Sequence, residues 1–377
     1  MKHRIDIVVP ESELNKNNEK KLRLEKTRRF EKTDRAPVVP IINEWFANRA
    51  RGVTFERFAE SPEDHLRELI LNYKWKTENI LSDAPVPTER VTFSPNVGCL
   101  RGVEFPYEII WPADRPPKTV HMLREAEDID RLAMPDPWDN FSGRTIKWYL
   151  AMKDRAGDYD LRVNGERVEI EITITQPGGP IPNAFALAGE NLFLWMLTDP
   201  DRYRKLMELV TKSHMNCIKY LDELTGRGPI HPQGLGADTA ELVGAGMFEE
   251  FIAPYYEMIW EKYPGWRSVH NCGKIDHLLA VMRDVLKIEE LSAFGFPADR
   301  EKLGREFGGR VYMTGGPNPV ALASATREEI IAEAVSYIKT AGAKGGFVLQ
   351  TGGDAVPGTP PEKFEFMREA SVIAANE

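Results

Sequence analysis

The stretch Ser268-Val269-His270-Asn271-Cys272-Gly273 sets an imidazole and a thiol two residues apart. Side chains of an extended strand alternate between faces, so His270 and Cys272 point the same way. A neutral imidazole nitrogen and a thiolate are both good ligands for Zn2+. The competing assignment is structural, with His270 tied by a local hydrogen bond and Cys272 acting as a small buried hydrophobe. Two ligands do not complete a zinc shell, and the third is sought among Asp238, His231, Glu249 and Asp354. Each of these also has an ordinary reading. His231 falls in a turn, Asp238 precedes Thr239 where it could cap a helix, Glu249 lies inside a helical run, and Asp354 sits in a Gly-Gly-Asp turn. The other histidines, His3, His65, His121, His214 and His277, are assigned to structure.

The elements that would position these groups follow a regular rhythm. Helix signals at Thr198 to Leu224, Met247 to Tyr263, Lys274 to Val285, Thr326 to Ala341 and Pro361 to Ala375 alternate with apolar runs. Those runs are Ile230 to Gly234, Ser268 to Cys272, Ile288 to Phe296, Val311 to Thr314 and Phe347 to Leu349. Thr326 and Glu329 form a capping-box pattern, and Ser61-Pro62-Glu63-Asp64 opens an earlier helix. Repeated strand-then-helix order implies a parallel sheet. Counted back to a first buried strand at Val38, the strands favour a closed (β/α)8 TIM-type barrel over an open sheet. The expected division is a charged amino-terminal arm over 1–28 and the barrel over 29–377. Prolines and glycines are dense between Asp83 and Trp138, which predicts an inserted, hairpin-rich region. Gln176-Pro177-Gly178-Gly179-Pro180 is a poor phosphate cradle, because its prolines lack amide donors.

In a barrel the active site lies at the carboxyl ends of the strands. The rim residues read there are Asn43, Glu44, Gln176, His231, Gln233, Asp238, His270, Cys272, Asn318, Gln350 and Asp354. Few cations stand among them, which argues against a polyphosphate substrate. The chain has 377 residues, a net charge of −9 and three cysteines. It is acidic without a basic face, so no nucleic-acid footprint is expected, and the cysteine number argues against a disulfide framework. No run approaches the ~20 apolar residues of a membrane span, and a cytoplasmic location is expected.

Three further segments accompany His270-Asn271-Cys272-Gly273. They are Asp34-Arg35-Ala36-Pro37-Val38, Thr314-Gly315-Gly316-Pro317-Asn318-Pro319, and Gly346-Phe347-Val348-Leu349-Gln350-Thr351-Gly352-Gly353-Asp354 with Thr359-Pro360-Pro361-Glu362. Together with Phe248-Glu249-Glu250-Phe251-Ile252-Ala253-Pro254-Tyr255 they resemble the uroporphyrinogen decarboxylase superfamily, and within it the corrinoid-linked methyltransferases. The resemblance implies a distorted (β/α)8 barrel with zinc held by an H-x-C pair and a second cysteine near the last strand. His270 and Cys272 match the pair, but Gly353 stands where the second cysteine would be. Related demethylating methyltransferases place a glutamate twenty-one residues before the histidine, and Glu249 stands at that offset from His270. The decarboxylase branch implies an arginine-rich motif after the first strand, where this chain reads Ile42-Asn43-Glu44-Trp45-Phe46.

The leading expectation is a zinc-assisted methyltransferase that moves a methyl group between a small methoxylated or methyl-thiol compound and a corrinoid carried by a partner protein. His270, Cys272 and either Asp238 or Glu249 would hold the metal, while Asn43, Glu44, Gln176, His231, Asn318 and Gln350 would line the substrate. A metal-independent decarboxylase of the same superfamily and a non-catalytic ligand- or corrinoid-binding barrel are the alternatives. The resemblance also implies a homodimer.

Overall fold

A computed structural model describes residues 2–95, 100, 103–112, 116–175, 178–226 and 234–377. Its strands in chain order are β1 (His3–Ile7), β2 (Arg90–Phe93), β3 (Ile109–Ile110), β4 (Lys118–Thr119), β5 (Tyr159–Val163), β6 (Glu166–Ile172), β7 (Leu235–Gly236), β8 (Ser268–His270), β9 (Glu290–Phe294), β10 (Tyr312–Gly315) and β11 (Phe347–Leu349).

The carboxyl-terminal half forms the anticipated α/β layer: a five-stranded parallel sheet in the order β11-β10-β9-β8-β7, with helices between successive strands. Parallel neighbours need such crossovers, and strands buried on both faces read as continuous apolar runs. Val269, Leu291, Met313 and Leu349 are accordingly fully buried. The first expected strand reduces to one parallel bridge, Val38 to Leu349, beyond β11. At the other edge the Gly236 N–H donates to the Gly178 carbonyl (2.9 Å). Among the described residues the hydrogen-bonded ladder does not close into the expected ring.

A second sheet, β1-β5-β6-β2, was not anticipated as a separate layer. Asn164 and Gly165 are the two-residue loop joining antiparallel β5 and β6, both at positive φ (48° and 90°). That pair suits the tight turn that matches strand twist. The alternating run that begins at Glu169 therefore belongs to this second sheet through β6. Near the amino terminus, β1 pairs in parallel with all of β5. Asn164 binds the backbone of Val9 in both directions (2.9 Å each). A distinct apolar core fills the space between this sheet and the helices Pro62–Asn79 and Asn140–Arg155, with Phe58, Leu66, Ile70, Met152 and Leu161 at its centre. Of the hairpin-rich insertion, the described part holds one short antiparallel pair, β3 with β4.

The helix starts follow their caps. The Ser61 Oγ accepts from the Asp64 N–H (3.0 Å), and Thr326 and Glu329 close a reciprocal capping box on Arg327–Thr340. Each such cap contributes about 1 kcal/mol. No helix among the described residues is long and apolar enough to cross a membrane.

Two buried polar groups fix the packing locally, Asp83 beside Val38 and His65 within the second core. Asp83, with no exposed surface, accepts from both Arg35 guanidinium nitrogens (2.7 and 2.6 Å), from Arg23 (3.2 Å) and from the Val38 N–H (2.7 Å). Burial, the largest single influence, would raise this carboxyl, but Arg35, the Val38 N–H and Arg23 together hold Asp83 below the usual carboxylate range. His65, also fully buried, donates from Nδ1 to the Phe58 carbonyl (2.9 Å) and lies between the Phe58 and Trp148 rings. Loss of water around the ring pushes its pKa down to about 4.

Replacing Asp83 with asparagine should therefore lower unfolding stability by about 3–5 kcal/mol, since two arginines would lose their shared buried counter-charge. A urea-midpoint shift worth under about 1 kcal/mol would show the cluster to be solvated. For His65 the unfolded imidazole takes up its proton near pH 6.5, whereas the native one stays neutral to about 4. Its contribution, on the order of 3 kcal/mol, is full above pH 6.5 and is lost as pH falls toward 4. Denaturation at a series of pH values should show a flatter acid limb for His65→Gln than for the wild type, and parallel curves would remove His65 as the cause.

Candidate metal centre

The strands β7 and β8 run side by side in register, Leu235 against Val269 and Gly236 against His270. Their pairing continues past the strand ends. The Ala237 N–H donates to the His270 carbonyl (2.7 Å), and the buried Asn271 amide donates to the Ala237 carbonyl (2.5 Å) and to Glu241 Oε2 (3.0 Å). Asn271 Oδ1 in turn accepts from the Gly273 N–H (2.7 Å). One side chain thus staples the loop after β8 to the loop after β7.

That staple delivers Asp238 to the H-x-C pair. Asp238 Oδ1 lies 3.2 Å from Cys272 Sγ and 3.4 Å from His270 Nε2, and it accepts from the Cys272 N–H (3.2 Å). One ligand atom from each of the three residues falls within a 4.8 Å cluster. His270 and Cys272 share a side, as strand alternation requires, while Asn271 faces the opposite way into the protein. Gly295, after β9, makes room for this loop, because a Cβ there would meet the Cys272 carbonyl oxygen at 1.7 Å.

The electrostatics of the trio suit a cation. His270 Nδ1 lies 2.9 Å from the Ser292 carbonyl, which can only accept, so the ring proton resides on Nδ1. The ring's other nitrogen, Nε2, faces the Asp238 carboxylate at 3.4 Å, on the side where a shared cation would sit. Although Cys272 keeps solvent contact as a residue, burial of its sulfur and then the neighbouring Asp238 carboxylate push the thiol up to about 12. The proton therefore stays on sulfur and is donated to Asp238, until a cation displaces it. Tetrahedral zinc, with bonds of about 2.0–2.3 Å, sets adjacent ligand atoms about 3.5 Å apart. The two separations from Asp238 Oδ1, 3.2 and 3.4 Å, are close to that edge length, and all three ligand atoms lie within 4.8 Å of one another, so the nitrogen, sulfur and oxygen donors are of a type that zinc takes.

The other residues singled out from the sequence are placed elsewhere. Glu249 is exposed on the short helix Ala245–Phe251 and is not part of the trio, despite its offset from His270. Asp354 is likewise exposed, in the turn after β11. Asn43 and Asn318 spend their side-chain oxygens on helix caps, accepting from the N–H groups of Phe46 (2.8 Å) and Val320 (2.9 Å). Glu44 accepts from Asn72 and Lys76 (2.6 Å each). Gln350 donates its backbone N–H to Gly315 (2.8 Å), while its side-chain oxygen is buried without a hydrogen-bond partner. Gln176, His231 and Gln233 lie outside the described residues. Of the histidines assigned to structure, His121 and His277 each bind a backbone carbonyl, of Ala186 (3.0 Å) and Val243 (2.9 Å).

Asn271, Glu241 and Ser292 were not singled out. Strand alternation could have flagged Asn271, since a residue between two outward ligands must turn inward. Ser292 acts through its backbone, which no residue type announces.

The sequence matches the uroporphyrinogen decarboxylase (URO-D) family over residues 19–372. No curated protein matches it. Among solved structures the fold is similar to that of a methyltransferase from Methanosarcina mazei, at 18% sequence identity and a TM-score of 0.64. The likeness covers 93% of this chain and 98% of that one, and at such identity it speaks for the fold alone. With a family match spanning almost the entire chain, this protein belongs to the uroporphyrinogen decarboxylase family.

Proposed function

We propose that this protein is a zinc-assisted methyltransferase, moving a methyl group between a small methoxylated or methyl-thiol compound and a corrinoid carried by a partner protein. The observation that carries the reading is the convergence of Asp238, His270 and Cys272 at ligand spacing. In the same reading the five-stranded parallel ladder, prolonged by Val38 at one edge and by Gly178 at the other, is an arc of a (β/α)8 barrel with this trio at its carboxyl rim.

Zinc bound there would act as a Lewis acid on the substrate's oxygen or sulfur, easing rupture or formation of its bond to the methyl carbon. The chain's own residues do the rest. Asp238, His270 and Cys272 hold the cation, the Ser292 carbonyl fixes the His270 tautomer, and Asn271 keeps the two ligand loops in register.

The family's name points to decarboxylation as the other reading. A polycarboxylate substrate needs cations, however, and the segment after Val38 offers Glu44, already engaged by Lys76. Carboxylates from Asp238 and Glu241 further disfavour an anionic ligand beside Cys272.

Protein purified with zinc should carry about one equivalent, and Cys272→Ala and Asp238→Ala should lose it. Both variants should also slow methyl transfer from 2-methoxyphenol or a methyl thioether to added cob(I)alamin by about a hundredfold or more, consistent with loss of ten- to hundredfold affinity at even supporting residues of metal sites. A Cys272→Ala enzyme with full metal content and undiminished transfer would refute the assignment. Decarboxylation of a porphyrinogen, unchanged in that variant, would favour the second reading, and tight corrinoid binding without turnover would favour a binding barrel.

A further inference from the structure

The residue after Asp238 is unusual in two independent ways. Ala237 to Ala240 forms a tight turn, closed by the Ala240 N–H donating to the Ala237 carbonyl (3.1 Å). Thr239 occupies its third position with φ 73° and ψ −13°, the left-handed conformation of a type II turn. Glycine or asparagine is the ordinary occupant there, because a Cβ, and above all a branched one, crowds the backbone. Among the described non-glycine residues at positive φ, Phe30, Asn140, Asn164, Thr239, Lys287 and Ala293, only Thr239 is β-branched. Its hydroxyl oxygen is also buried without a hydrogen-bond partner. Strain of this kind and an unpaired buried hydroxyl are each unfavourable, and a glycine would remove both.

The neighbouring carboxylate supplies a reason for keeping threonine. All the contacts of Asp238 described above, to Cys272 N, Cys272 Sγ and His270 Nε2, fall on Oδ1. A ligating carboxylate is normally held by a hydrogen bond to its second oxygen, which fixes its orientation and tunes its basicity. We propose that Thr239 is a positioning residue of the metal centre, whose hydroxyl donates to Asp238 Oδ2 when Oδ1 takes the cation. The assignment rests on the zinc reading above but concerns a residue outside the ligand set. In this arrangement the turn's backbone strain is balanced by a donor that glycine cannot offer. The proton stays on Thr239 throughout, so no group changes charge apart from the ligands themselves.

The test compares wild type with Thr239→Ser, Thr239→Val and Thr239→Gly, reading zinc affinity by competition against a chromophoric chelator and folding by thermal unfolding of the metal-free protein. Serine, which keeps the hydroxyl, should hold zinc within about threefold of wild type. Valine, of nearly the same shape, and glycine, free of the strain, should each bind it about ten- to a hundredfold more weakly. Glycine should do so without lowering the unfolding midpoint, which separates loss of the donor from loss of the fold. Wild-type zinc affinity in both valine and glycine variants would overturn the role of Thr239 while leaving the ligand trio intact. Wild-type protein that takes up no zinc would overturn the metal reading itself, and this inference with it.

Discussion

The arrangement at the rim depends on one constraint, the register of β7 against β8 carried beyond the last paired residues. Gly236 opposite His270 fixes where the two chains leave the sheet, and the Asn271 amide holds them together for one more step. A slip of one residue in β8 would turn His270 and Cys272 away from Asp238 and bring Asn271 outward, because side chains of a strand alternate. The chemistry of the trio is thus a consequence of backbone pairing plus one buried side-chain amide.

In the zinc reading, the carboxylate of Asp238 would replace the sulfur that the resemblance leads one to seek near the last strand, where Gly353 provides no donor. That substitution would change the charge distribution little, since aspartate and thiolate are both monoanions, but it would move the third donor beside β8. All three donors would then come from the neighbouring ends of β7 and β8. Preorganisation is short-range as a result, and it requires only that two loops stay stapled.

Much of the architecture was readable from local chemistry. Thr326 with Glu329, Ser61 with Asp64, and the apolar run Phe347 to Leu349 each carried their own instructions, and the structure uses all of them as read. What escaped were choices of partner. The Asn164-Gly165 turn was not singled out, and the second sheet it creates also depends on β1 arriving from a segment so charged that it reads as an arm. Asn43 and Asn318 looked like rim residues for the same reason that they make good caps, a short side chain with an acceptor oxygen, and the backbone claimed them first. At the candidate metal site, the spacing of His270 and Cys272 announced a pair, while a third donor could be narrowed only to several candidates. Glu249 had the right offset along the chain but lies on the outer surface of its helix, and offset carries no information about which loops meet.

The parallel pairing of β1 with β5 reaches beyond stability to the order of assembly during synthesis. At about 5–20 residues added per second, the strand that will accept His3–Ile7 leaves the ribosome roughly 8–30 s after it. Throughout that wait the nascent edge is open to mispairing, and its alternation of Arg4 and Asp6 with Ile5 and Ile7 keeps charge on one side of an otherwise adhesive ribbon. The same polar residues that disguise the segment as an arm therefore act as its guard until the partner emerges.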